Sequence, residues 1–148
     1  FGKPTGRENK KEKLDEFGES FIFKVFLGKM SNGEVVTVEK FIEGDFIKYV
    51  NNTGQRCVDD NLIDDKAEAF CHYSYEKSEE KLMVVDIQGS NYILYDPEIA
   101  SKEAYDEKGN HLFCSVNLSG KAIDGFFKSH NCSKFCKLLK LSLQPKSK

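Results

Sequence analysis

The octapeptide SHNCSKFC, residues 129–136, places His130, Cys132 and Cys136 within seven residues. Three soft metal ligands this close together constrain the fold strongly, because a structural zinc takes four ligands in a tetrahedron. The fourth has to be delivered from elsewhere in the chain by tertiary structure. Cys132 and Cys136 are four apart, so a helix through both would set them one turn apart on one face. His130 lies just ahead, where a turn can aim its imidazole at the same point. Of the other two histidines, His111 lies in KGNHLF, which reads as an exposed turn. His72 lies in AFCHYSYE, at the end of an expected helix with an apolar face, and is the expected fourth ligand. Cys71 is its nearest rival. The alternative is that these cysteines are small buried apolar groups and the histidines caps or surface residues.

A chain of 148 residues is one domain's worth, long enough to bury a core. Its formal charge of −2 offers no bulk attraction to nucleic acid or anionic lipid. No apolar run approaches the roughly 20 residues needed to cross a bilayer, and the expected location is cytoplasmic. Five cysteines are an odd number, a poor disulfide framework. The sequons at Asn51, Asn117 and Asn131 are short enough to arise by chance. The first residue is Phe1, so the protein is expected to be either processed or a piece of something longer.

Residues 1–20 read as a polar leader, residues 21–141 as one α+β domain and residues 142–148 as a basic tail. Phe21 to Leu27 and Glu34 to Phe41 are strand-like, with Asn32-Gly33 as a hairpin turn. The stretch GDFIKYVNNTG reads as a short helix, with Phe46, Tyr49 and Val50 on one face and Gly54 in its stop signal. A second helix is expected from Asn61 to about Tyr73, and two more in GKAIDGFFKSH and CSKFCKLLKL. KLMVVDIQG reads as one apolar strand.

That strand runs into an acid, Asp86, and a carboxylate there needs a cation or a hydrogen-bond network. On an extended chain Gln88 points the same way as Asp86, and Asp96 could return to the same spot after a short excursion. Two carboxylates and an amide oxygen make a hard-oxygen site suited to magnesium and phosphates. The plainer alternative is that both acids cap turns.

The segments AFCHYSYEKSEEKLMVVDIQG, YDPEI and NLSGKAIDGFFKSHNCSKFCKLLKL, in that order, resemble the C-terminal lobe of the alpha-kinases. VVTVEKFIEGDFIKYVNNTG resembles the hinge of the same family. The resemblance implies a structural zinc on His72, His130, Cys132 and Cys136. It implies Asp86 as the catalytic acid/base or hydroxyl-positioning residue, and Gln88 and Asp96 as magnesium ligands. Glu39, Lys40 and Phe41 would meet the adenine of ATP, largely through backbone groups. The implied reaction is transfer of the γ-phosphoryl group to Ser or Thr of a protein substrate.

Two departures stand out. Where the family has a glycine-rich loop, this chain reads CSVNLSG, with Cys114 and Ser119 in glycine positions. A Cβ penalises the left-handed backbone angles that Gly accepts. Nothing before Phe21 resembles the family's phosphate-covering loop or its phosphate-contacting lysine. The expectation is a hinge and C-terminal lobe with the N-terminal lobe largely missing, to be supplied by further sequence or a second chain. The rival expectation is a zinc-stapled pseudokinase that only binds other proteins.

Overall fold

A computed structural model describes residues 15–58, 62–115 and 117–142. Most of the polar leader and of the basic tail lies outside the described residues. After a helical turn at residues 15–17 come three strands: β1 (Ile22–Phe23), β2 (Val25–Lys29) and β3 (Val35–Glu39). Next are β4 (Ile47–Val50), helix α1 (Leu62–Lys77), and four further strands. These are β5 (Leu82–Val85), β6 (Ile87–Ser90), β7 (Ile93–Leu94) and β8 (Glu98–Ser101). Helices α2 (Gly120–Ser129) and α3 (Lys134–Leu138) complete the α+β order.

The strands form one four-stranded sheet, in the order β1, β7, β6, β4, and two separate pairs, β2 with β3 and β5 with β8. β1 runs parallel to β7, with Ile22 opposite Ile93. The main core lies between α1, α2 and the sheets, and contains Tyr49, Val50, Met83, Val85, Ile87 and Phe126. A smaller cluster of Ala69, Phe135, Cys136 and Leu141 joins α1 to α3. Among the described residues no helix is long and apolar enough to cross a membrane.

The expected helix over GDFIKYVNNTG is instead strand β4, bound antiparallel to β6 with Lys48 opposite Gln88. Ile, Tyr and Val favour the pleated sheet, and a helix this short gains little by itself. Pairing buries Tyr49 and Val50 completely. Gly54, at φ 79°, then turns the chain so tightly under α2 that a Cβ there would come within 2.3 Å of the Ala122 carbonyl.

KLMVVDIQG is likewise two strands, not one. Asp86 has φ 54°, a left-handed conformation that ends β5 and starts β6 in a different sheet. The simple alternation that would aim Asp86 and Gln88 the same way therefore does not apply. Asp86 is a pivot between sheets.

The β2–β3 hairpin pairs Phe26 with Val38 as the Asn32-Gly33 turn predicts. Its apolar side chains are uncovered by the described residues: Leu27 is 78% exposed and Phe26 54%. An isolated two-stranded hairpin is marginal in water. The upstream chain is secured differently, by Lys66, which is 2% exposed. Its ammonium donates to the Glu19 carbonyl at 2.6 Å and lies over the rings of Phe17, Tyr92 and Phe135.

Candidate active site and metal centre

His72 sits on the third turn of α1, one turn after Glu68 and one before Glu76. His130 is the residue that caps the C-terminus of α2, its N–H bonded to the Phe126 carbonyl and its ring stacked on Phe126 at 4.5 Å. Cys132 does not share a helix with Cys136, as the spacing suggests. Ser133 is the N-cap of α3, its hydroxyl accepting from the Phe135 N–H at 3.2 Å, so helix begins only after it. Cys132 stands in the extended segment before the cap, and Cys136 in the helix.

The four side chains converge. Their ligand atoms all lie within 4.8 Å of one another. Cys132 Sγ is 3.7 Å from both His72 Nδ1 and His130 Nε2, and Cys136 Sγ is 3.6 Å from His130 Nε2. Zinc bond lengths of roughly 2.3 Å to sulfur and 2.0–2.1 Å to nitrogen imply S···N edges of about 3.6 Å in a tetrahedron. The residues fit that ion. Cys71, the rival ligand, is buried in the main core, and burial raises its thiol pKa strongly. His111 is exposed and rests on the Tyr105 ring.

Asp86 is 7% exposed and meets Lys48 Nζ at 2.7 Å. Lys48 reaches it from β4, where its cross-strand neighbour is Gln88. Gln88 in turn donates its amide N–H to the Asp96 carbonyl at 3.1 Å, and the Tyr95 N–H bonds to the Gln88 carbonyl at 3.2 Å. The chain after β7 is thus folded back beside β6, with Asp96 at φ 48° and exposed. Glu98, opposite Val85 in the β5–β8 pair, completes the group. Burial raises its carboxyl pKa first, and the negative charges of Asp86 and Asp96 raise it further. The site is crowded with negative charge.

β7, which pairs with β6, also lines a cavity of about 500 Å³ together with Ile22, Glu39, Lys40 and Phe41. The hinge residues thus share a cavity with β7, while Gln88 and the returning Asp96 lie on and beside β6, the strand paired with β7. Lys48 and Glu98 fall within segments quoted from the sequence but are given no role in that reading. Reading β4 as a helix hid Lys48; as a strand, its register alone would have put it opposite Gln88.

The Asn117 side chain organises the loop where glycines are expected. It is 7% exposed, donates to Ser101 Oγ and the Leu112 carbonyl, and accepts from the Ser101 and Ser119 N–H groups. An amide so enclosed is no glycosylation acceptor. Ser119 is held at φ 55°, ψ −144°, close to territory that is essentially Gly-only. Ser119→Gly should raise stability by about 1 kcal/mol, a melting-point gain of roughly 3–5 °C. Thermal unfolding of both proteins checks it; a loss of stability would mean that the Ser119 hydroxyl bond to the Lys102 carbonyl outweighs the strain.

The sequence model of the Alpha-kinase family matches residues 2–136. This chain belongs to the alpha-kinase family. Among similar curated proteins, Dictyostelium discoideum myosin heavy chain kinase B is 33% identical over 139 residues, 93% of this chain and 18% of its own length. Mouse eukaryotic elongation factor 2 kinase is 38% identical over 105 residues, 71% of this chain and 13% of that protein. Human transient receptor potential cation channel subfamily M member 6 is 35% identical over 111 residues, 75% of this chain but 5% of the channel. The ADP complex of the alpha-kinase domain of myosin heavy chain kinase A superposes with a TM-score of 0.70 at 25% identity. The match covers 93% of this chain and 53% of that one. The apoenzyme of the same domain gives 0.67 at 25% identity, with coverages of 95% and 62%. This alpha-kinase chain thus spans little more than half of the solved domains, and less than a fifth of these curated relatives.

Proposed function

We propose that this chain is the hinge and C-terminal lobe of a cytoplasmic alpha-type Ser/Thr protein kinase that transfers the γ-phosphoryl group of ATP to a protein hydroxyl. The observation that carries the reading is the meeting of Asp86, Lys48, Gln88 and Asp96 beside the cavity lined by Glu39, Lys40 and Phe41. Solved alpha-kinase domains in complex with ATP and its analogues support the nucleotide. Adenine would sit against Glu39 to Phe41 and direct the phosphates toward β6.

Asp86 would orient the substrate hydroxyl and take its proton as the new O–P bond forms and the bond to the ADP oxygen breaks. Lys48 holds that carboxylate in place, and the αL pivot sets where it points. Gln88 commits its amide nitrogen to the Asp96 carbonyl, so its amide oxygen would be the atom to meet a cation. Gln88 and the Asp96 carboxylate would hold magnesium, which supplies charge neutralisation for the phosphates. A dication would also offset the Asp86 and Asp96 charges, which add to burial in raising the Glu98 pKa. His72, His130, Cys132 and Cys136 would hold a structural zinc, a closed four-ligand set with no position left for chemistry.

The uncovered hairpin favours completion by another body, an N-terminal lobe from further sequence or a second chain. The same bare surface suits the rival reading, a non-catalytic module that docks another protein there. Phosphate transfer by a protein joining this lobe to an N-terminal lobe separates the two. Asp86→Ala should reduce incorporation roughly 10²–10⁴-fold in a protein that still folds. An inactive parent protein, or an active Asp86→Ala variant, defeats the kinase reading.

A further inference from the structure

The two histidines of the metal cluster present different nitrogens to it: His72 offers Nδ1 and His130 offers Nε2. Each ring's remaining nitrogen faces a carboxylate. His130 Nδ1 lies 3.3 Å from Glu68 Oε1, and His72 Nε2 lies 3.5 Å from Glu76 Oε1. Glu68, His72 and Glu76 occupy i, i+4 and i+8 of α1, so one stripe of a single helix carries a ligand and both carboxylates.

Their surroundings differ. The Glu68 side chain is 8% exposed, and its second oxygen is bound by Arg56 Nη1 at 2.9 Å. Arg56 is itself fixed, through Nε to the Val58 carbonyl at 2.8 Å and through Nη1 to Asp65 at 3.1 Å. Glu76 is 27% exposed at its side chain and is held by the N–H and hydroxyl of Ser142. An acceptor opposite a ring N–H fixes tautomer and ring orientation and makes the other nitrogen a better ligand. A buried carboxylate clamped by a guanidinium does this more firmly than a partly exposed one.

We propose that Glu68 and Glu76 are positioning residues of the metal centre, selecting the Nε2-ligating form of His130 and the Nδ1-ligating form of His72, and that Arg56 makes Glu68 the stronger of the two. The proposal rests on the reading of the cluster as a zinc site. It reaches beyond the four ligands into the loop between β4 and α1, where Arg56 lies.

Zinc stoichiometry of the purified wild-type chain comes first, by elemental analysis. Long-range ¹⁵N NMR of the imidazoles then assigns the protonated nitrogen of each ring. Zinc loss to a chromogenic chelator is timed for the wild type, Glu68→Ala, Glu68→Gln, Arg56→Met and Glu76→Ala. The expected result is a proton on Nδ1 of His130 and on Nε2 of His72. Glu68→Ala should release zinc about 10–100-fold faster. Glu68→Gln, which keeps an acceptor oxygen, should recover most of the retention, and Arg56→Met and Glu76→Ala should show smaller accelerations. If Glu68→Ala fails to fold, the wild-type tautomers and Glu68→Gln still decide. Zinc-loaded protein with both rings ligating through the same nitrogen, or with release rates indifferent to Glu68, overturns the proposal. Folded wild type without zinc overturns the metal reading beneath it.

Discussion

Cys136→Ala should leave a chain that neither retains zinc nor holds a cooperative fold at physiological temperature. Cys136 is fully buried and sits in the cluster that joins α1 to α3. In the absence of metal, burial pushes its thiol up to about 12, so zinc capture must release that proton and should weaken as pH falls. The metal would tie α1, the end of α2 and the start of α3 at one point. Structural zinc contributes roughly 10–16 kcal/mol of apparent binding free energy in small zinc domains. Whole domains are stable by only about 5–15 kcal/mol. Losing even a fraction of the zinc contribution is enough to unfold the chain. Cys57→Ala, at an exposed thiol, should change little, as should replacement of the exposed His111. Replacement of His72 should behave like Cys136→Ala. Zinc analysis with thermal unfolding checks all four, and a zinc-loaded, cooperatively folding Cys136→Ala protein contradicts the assignment.

The His/Cys cluster was legible in sequence because His130, Cys132 and Cys136 at short spacing admit few uses, with His72 added from its helix context and the family resemblance. The route by which they meet was not. A four-residue spacing suggested one helix, yet the Ser133 cap starts α3 between the two cysteines. The hairpin was readable from Asn32-Gly33, a local turn signal. β4 was misread because four residues with Gly on either side carry almost no periodicity, and its strand identity comes from β6, forty residues away. The break at Asp86 is harder still, since an αL aspartate leaves no mark in an apolar run. Lys48, Glu98, Glu68 and Glu76 belong to a third kind. Glu68 and Glu76 lie at offsets of four from His72, Lys48 lies across a strand pair from Gln88, and Glu98 lies across one from Val85, the neighbour of Asp86. Offsets of four from His72 would have found both glutamates.

Residues 1–148 alone should transfer no detectable phosphate to a basic protein substrate and should bind Mg-ATP weakly or undetectably by calorimetry. Phosphoryl transfer is almost wholly a matter of positioning and electrostatic stabilisation. On the proposed reading, the cavity lined by Glu39 to Phe41 would take an adenine, and Gln88 and Asp96 would face a cation. Of the lysines that line the cavity, Lys24 has its ammonium over the Phe26 ring at 5.1 Å, on the exposed hairpin. The described residues leave Phe26, Leu27 and Val38 of that hairpin more than half exposed, so a triphosphate there would meet water. Water weakens each charge contact, since an interaction of about 4 kcal/mol at an effective dielectric of 20 falls to about 1 kcal/mol at 80. Loss of one preorganised donor typically costs roughly 10²–10³ in rate, and a missing cover removes several. Adding an N-terminal lobe that buries Phe26, Leu27 and Val38 should restore both binding and transfer. Robust phosphorylation by residues 1–148 unaided would mean that residues 1–14 or a second copy complete the site, and a dependence of rate on the square of protein concentration would identify the second copy.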